Sequence, residues 1–230
     1  MGPAEKLRLL LDFFDRRREA SRPGTLAVFW RDGKPMLPKF AAATWLRVPY
    51  LLRGIIALQQ QRLGLEVDVL LRALLEVAIV AMWVGDDESR AQAARDHTLA
   101  RMVTGHERMR GLGVELSPDA QLVTGEWLKS SSGRTMPKLH ICAGQVLDPG
   151  LRKVAVHLYG GFYDNYSVAS HAELRAAEKL ARGVPEQNIE AAASDAVEAC
   201  AGILMAVADV VGLKAEIEQL FRDLYVDSPA

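Results

Sequence analysis

The sequence predicts an all-α fold, a single-domain helical bundle of about eight helices with a buried polar seam. Three observations lead there. Apolar residues recur at helical spacing along most of the chain, and no convincing alternating strand pattern follows residue 35. The stretch Leu65 to Gly85, LEVDVLLRALLEVAIVAMWVG, is apolar at nearly every position from Val67 to Val84, the pattern of a helix buried all round. Asp68, Arg72 and Glu76 interrupt it at i, i+4 and i+8, which sets three charges on one helical face. Burying an ion costs several kcal/mol unless it is paired. The seam is therefore an internal pairing network or a functional site, or it meets water at one end of the helix.

Composition narrows the classes. The chain has 230 residues, half of them hydrophobic, enough for one sizeable core. A net charge of -1 gives no global basic footprint and disfavours broad nucleic-acid binding. The densest basic run, Arg16, Arg17, Arg18 and Arg22, reads as a solvated helix end. Cys142 and Cys200 stand far apart in apolar surroundings, as reduced core residues of a cytoplasmic protein would. The N-terminus lacks a signal-peptide pattern, and Pro3 and Lys6 do not fit a myristoylation motif. Leu65–Gly85 has the ~20-residue length of a membrane span, but it carries four charges, several of which cost about 2.5–3.5 kcal/mol each to insert. Ala201 to Leu213 is too short and contains Asp209. The expectation is a soluble protein with no membrane partner.

In chain order, Ala4 to Arg18 places Leu7, Leu10, Leu11 and Phe14 on one helical face. Ser21 to Gly24 breaks it. Thr25 to Trp30 is β-prone and Arg31 to Lys34 is a turn signal, so 1–38 reads as a helix followed by an irregular or hairpin segment. The bundle occupies 39–230, one domain overall. Lys39 to Leu63 forms a long helix kinked or broken at Pro49, with Gly64 as its stop. The short connection makes it antiparallel to the 65–85 helix. Asp86, Asp87 and Glu88 open another helix, where acids suit the dipole, and Gly111 and Gly113 end it. Ser117 and Asp148 are each an N-cap followed by proline, opening helices to about 128 and 159. A short helix lies over 137–146. Ser170-His-Ala-Glu173 matches a capping box for a helix to about Arg182. An Ala-rich helix over 186–213 supplies the second half of the core, and 215–225 closes the chain.

No strong catalytic motif is present: neither GxGxxG, nor GxxxxGK[ST], HExxH or GxSxG. The five histidines are scattered, and Glu66, Asp68 and Glu76 do not form the Glu-x-x-His pairs of di-iron bundles, so no metal or cofactor is expected. Arg101 and His106 are five positions apart, about 140° around a helix. They can converge on a phosphate only near a helix start; otherwise they are a solvated pair on a basic helix end with Arg108 and Arg110. The segment Tyr159 to His171 concentrates Tyr163, Asp164, Asn165, Tyr166 and His171 around Gly160-Gly161. It can close over the Arg72/Glu76 seam as a polar pocket, or simply end a helix with ordinary caps and aromatic packing.

The run RALLEVAIVAMWVGDD, Arg72 to Asp87, preceded by a long helix, resembles the R-x-x-x-E helix of an uncharacterised bacterial all-α family. The Y-x-x-Y-S-x-x-S-H stretch, Tyr163 to His171, is similar to that family's aromatic–Ser–His segment, and the helix over 186–213 fits its last element. The likeness spans residues 40 to 213 in order of elements. Through it the chain distantly resembles the HEPN helical bundles, many of them dimeric ribonucleases of toxin–antitoxin or phage-defence systems with an Arg-x(4–6)-His motif near the start of a late helix. This sequence departs from that motif. Arg101–His106 has the spacing but lies mid-chain, and His171 has Asn165 upstream where an Arg belongs.

The candidate ligand-binding set is therefore Asp68, Arg72, Glu76, Tyr163, Asn165, Tyr166 and His171. Arg72 is the anion holder, Glu76 lines the pocket, and His171 hydrogen-bonds or moves a proton; Arg101 and His106 are the alternative pair. Two functions compete. One is a non-catalytic ligand-binding or partner-binding module in a defence or regulatory system. The other is a HEPN-like ribonuclease or toxin component acting on RNA. A homodimer or a protein partner suits either; an RNA partner belongs to the second alone.

Overall fold

A computed structural model describes residues 1–20, 36–115, 117–118, 121–122, 125, 136–163, 166 and 186–225. Among these the fold is an all-α single-domain bundle without strands. Its helices are α1 (Pro3–Ala20), α2 (Met36–Gln60), α3 (Gly64–Val84), α4 (Glu88–Gly111), α5 (Leu139–Gly144), α6 (Pro149–His157), α7 (Glu186–Val211) and α8 (Lys214–Tyr225). A π-helical turn, Leu158–Tyr163, continues α6. The expected hairpin over 25–34 and the capped helix over 170–182 lie outside the described residues.

α3 is the hub: it packs along α7 and α2, and α4, α5, α6 and the π-turn also reach it. Its Leu71, Leu74, Leu75, Ala78, Ile79 and Met82 are almost fully buried. α7 meets it with small residues. A side chain added at Gly202 would stand 3.0 Å from the Met82 sulfur, so glycine permits this close crossing. α1 lies on α2 and α7, with Phe14 and Trp45 in contact at 4.7 Å between ring centroids. Surface ion pairs Arg53–Asp15 and Arg17–Glu216 tie α1 to α2 and α8; exposed pairs contribute little to stability.

The ends of the helices follow local chemistry with two departures. Asp148 caps α6, its carboxylate accepting from the Leu151 N–H at 2.7 Å. Asp87 caps α4, accepting from Ser89 and Arg90 N–H groups. Burial pushes the Asp87 carboxyl up, but those hydrogen bonds and the Arg90 charge outweigh it and hold it below its usual range. The first departure is at α2. Of the kink or break expected at Pro49, the break does not occur: Pro49 sits buried inside a continuous helix, with Val48 and Leu52 buried on either side of it. The second is at Gly64, expected as a stop. Gly64 instead opens α3, and the left-handed position after α2 is taken by Arg62, at φ 59°.

The N-terminus of α2 has a partner from far along the chain. Glu88 accepts from the N–H groups of Met36 and Leu37, at 2.8 and 2.9 Å. One carboxylate thus satisfies two orphan donors at the positive end of a helix dipole. Arg90, in the same turn of α4, donates to the carbonyls of Trp83 and Gln145 and stacks on the Trp83 ring, joining the end of α3 to the end of α5.

Candidate functional site

The polar seam is real but shallower than expected. Asp68, Arg72 and Glu76 are half-buried, on a side of α3 next to its apolar stripe rather than within it. α3 is thus not buried all round. Its charged side faces a strap formed by the π-turn and Tyr166.

The strap exists because α6 does not stop at His157. The chain winds on through Leu158–Tyr163 as a wider π turn, a form that recurs at functional sites. Gly160 and Gly161 lie within this turn. The wider turn brings Tyr159 and Tyr163 into a stack, with ring centroids 5.4 Å apart and planes within 20°. Beside them, His157 meets Phe162 edge-on at 4.9 Å, and His140 lies 6.0 Å from Tyr159.

Two tyrosines pin this strap to the bundle. The Tyr163 hydroxyl accepts from Arg72 Nη2 at 3.1 Å, and the same guanidinium carbon lies 5.1 Å from the Tyr163 ring centre. Arg72 is thus held by a hydroxyl and a π system together. Tyr166 donates to Asp195 Oδ2 of α7 at 2.5 Å, a short charge-assisted bond. Asp68 is close enough that its charge also acts on Tyr166.

The electrostatics of the second bond are set mainly by burial. Desolvation pushes the Asp195 carboxyl up; the Tyr166 bond opposes it, the Glu198 carboxylate adds to it, and His157 offsets part of it. Tyr166 is pushed far above its ordinary range by desolvation first, then by the hydrogen bond to Asp195 and the charges of Asp195 and Asp68. Its hydroxyl is therefore fixed as a donor and is unsuited to act as a base. On the outer rim, exposed His157 and Glu198 face each other at 3.9 Å.

Only some of the sequence-predicted residues come together. Arg72 and Tyr163 meet directly, Tyr166 is in the same seam, and Asp68 faces it. Glu76 is half-buried one turn beyond Arg72. Asn165 and His171 lie outside the described residues. Arg101 is exposed and His106 half-exposed on the distal half of α4. No cluster of metal-ligating side chains occurs among the described residues. Sequence reasoning missed Asp195, His157 and Glu198. The signal for Asp195 was of the kind used for α3, a charge set among small and apolar residues of a core helix.

No protein-family model, no curated protein and no solved structure matches the chain.

Proposed function

We propose that this protein is a non-catalytic ligand-binding module whose site is the seam between α3, α7 and the tyrosine strap. One observation carries the reading: Tyr166 and Asp195 are committed to each other, with the tyrosine held protonated and the carboxylate disfavoured as an anion by burial. A tyrosine held in this way suits hydrogen bonding better than proton transfer, which needs a group poised near the working pH. Arg72 supplies the permanent positive charge. Asp68 and Glu76 stand one helical turn to either side of it on α3, and Asp195 reaches the same strap from α7 through Tyr166, so the ligand that fits is a small molecule bearing an anionic group for Arg72 beside a cationic or amide group.

The test is thermal denaturation of the full chain against phosphate, simple carboxylates, amines and amino acids. A ligand at about a hundred times its Kd stabilises by about 2.7 kcal/mol, a rise of roughly 5–10 °C for a domain of this size. The rise is expected with a zwitterion in the wild type and not in Arg72→Met. No response to any class, or an equal response in Arg72→Met, overturns the reading.

The exposed basic half of α4, where Arg108 and Arg110 follow Arg101 and His106, supports a second reading: HEPN-like RNA cleavage. Arg101→Ala or His106→Ala should then abolish cleavage of single-stranded RNA while leaving the fold intact. Wild-type protein inert on RNA removes that reading.

A further inference from the structure

We propose that the π turn Leu158–Tyr163 is a register switch on the seam. Wound as it is, it sets the Tyr163 hydroxyl on Arg72. Rewound as an α turn, it withdraws that hydroxyl, brings Phe162 to the same place and opens Arg72 to the anionic group of a ligand. The inference rests on the seam being the binding site and adds how that site opens.

The two windings differ in which ring follows Leu158 inward. A π turn bonds residues five apart and an α turn residues four apart. Leu158 is fully buried and the turn packs on α3, so the Leu158 side of the turn is the side toward the bundle. In the π turn Tyr163, five residues on, is kept on that side and reaches Arg72 at 3.1 Å. In an α turn five residues carry a side chain about 140° round, while four carry it only about 40°. Tyr163 then swings away from Arg72 and Phe162 takes the inward place. The guanidinium keeps an aromatic face and loses the hydroxyl that competes for Nη2 with an incoming oxyanion.

The turn is built to accept both windings. Tyr159 and Tyr163, stacked at 5.4 Å, are four apart and stay neighbours in either, so the stack travels with the hydroxyl rather than tethering it. The contacts that favour the π winding are Arg72 with Tyr163 and, again five apart, His157 edge-on to Phe162 at 4.9 Å. The glycines supply the freedom. A side chain added at Gly160 would meet nothing within 4 Å, and one at Gly161 would meet the His157 ring at 3.6 Å, an ordinary contact. Neither glycine is left-handed. No crowding and no backbone angle therefore demands glycine in this winding. What two adjacent glycines give is a backbone that rearranges easily.

Fluorine NMR of the full chain carrying fluorotyrosine tests this, with glycine, a carboxylate joined to an ammonium, as the probe. The Tyr163 resonance, identified by its loss in Tyr163→Phe, is expected to move as glycine binds and to ignore glycine in Arg72→Met. Phe162→Tyr places a hydroxyl on Arg72 in either winding and should weaken glycine binding about tenfold, the size of one competing hydrogen bond. Tyr163→Phe places one in neither and should tighten it, since no closed state then has to be left. Deleting Gly160 makes Tyr163 the fourth residue after Leu158, so the α winding itself holds the hydroxyl on Arg72 and the resonance should stay where it is. Phe162→Tyr only adds an oxygen to a half-buried ring, and it carries the test if the deletion does not fold. Arg72-dependent glycine binding of equal strength in wild type, Phe162→Tyr and Tyr163→Phe overturns the switch and leaves the seam reading standing. Glycine binding in neither wild type nor Tyr163→Phe overturns the switch too, and the wider ligand series then decides the seam.

Discussion

Replacing Tyr166 by Phe removes one oxygen and leaves the rest of the strap in place. The oxygen donates at 2.5 Å to Asp195, which is only 7% exposed. A hydrogen bond to a charged group contributes about 1.5–3 kcal/mol, and the partner left behind bears its desolvation unrelieved. At about 2–4 °C per kcal/mol for a chain of this size, Tm at neutral pH should fall by roughly 3–12 °C. The pH dependence gives a sharper test. Asp195 has a folded pKa raised by burial, so its contribution is fully present below the unfolded carboxylate pKa and is lost as pH rises through the folded value. Tyr166 limits that loss, because its bond opposes the upward shift. Without it the loss extends further toward neutrality. The deficit of Tyr166→Phe should therefore be small near pH 4, about the unfolded carboxylate pKa, and grow toward pH 7. Asp195→Asn removes the buried charge and keeps an acceptor for the hydroxyl, so its stability should be flat over the same window. Circular-dichroism melts of the three proteins across that range decide the matter. A Tyr166→Phe variant that melts within about 1 °C of wild type, or whose deficit is equal at both ends of the range, refutes this account of the strap.

Glu88→Ala should lower Tm by roughly 2–8 °C, since losing a helix cap costs about 1–2 kcal/mol and here one carboxylate serves two N–H groups of α2. Glu88→Gln, which keeps one acceptor, should lie between, and equal melting of all three proteins would remove the capping role. The thiols should be inert in the folded chain. Cys142 is buried and pushed up to about 11, chiefly by desolvation, and fully buried Cys200 is raised by the same cause. A thiol-reactive dye near pH 8, close to the ordinary thiol pKa, should label neither in native protein and both in denaturant. Rapid native labelling would show that one of them reaches solvent.

Where structure was legible in the sequence, the signal was local. Asp148-Pro149 and Asp87 cap helices within three residues of themselves, so their side chains alone predict the ends. The 3.6-residue period of Leu71, Leu74, Leu75 and Ala78 states that α3 is a core helix, and the all-α class follows from repeating that pattern along the chain. The illegible features depended on distant partners. Glu88 reads as a favourable first-turn acid of α4, and only the folded chain shows that its oxygens serve α2, 52 residues earlier. Gly64 reads as the natural left-handed stop. In the fold Gly64 is the buried first residue of α3, and Arg62, exposed at the turn, takes the left-handed angle instead.

The seam shows how a partly correct reading arises. Charge at i, i+4 and i+8 in an apolar run marks one side of α3, the side on which Arg72 meets Tyr163, because a four-residue spacing drifts only about 40° per step around a helix. The same run suggested burial on all sides, because composition counts apolar residues without counting the neighbours available to cover them. α7 and α2 cover the stripe through Leu71 and Leu75. The polar side is crossed instead by a strap that brings hydroxyls along with rings. A strap of phenylalanines would shield Arg72 and Asp195 from water and offer them nothing; tyrosines shield and bond together. Hence the hydroxyls of Tyr163 and Tyr166, rather than their rings, are the groups whose removal should separate a seam that recognises something from a helix that is merely packed.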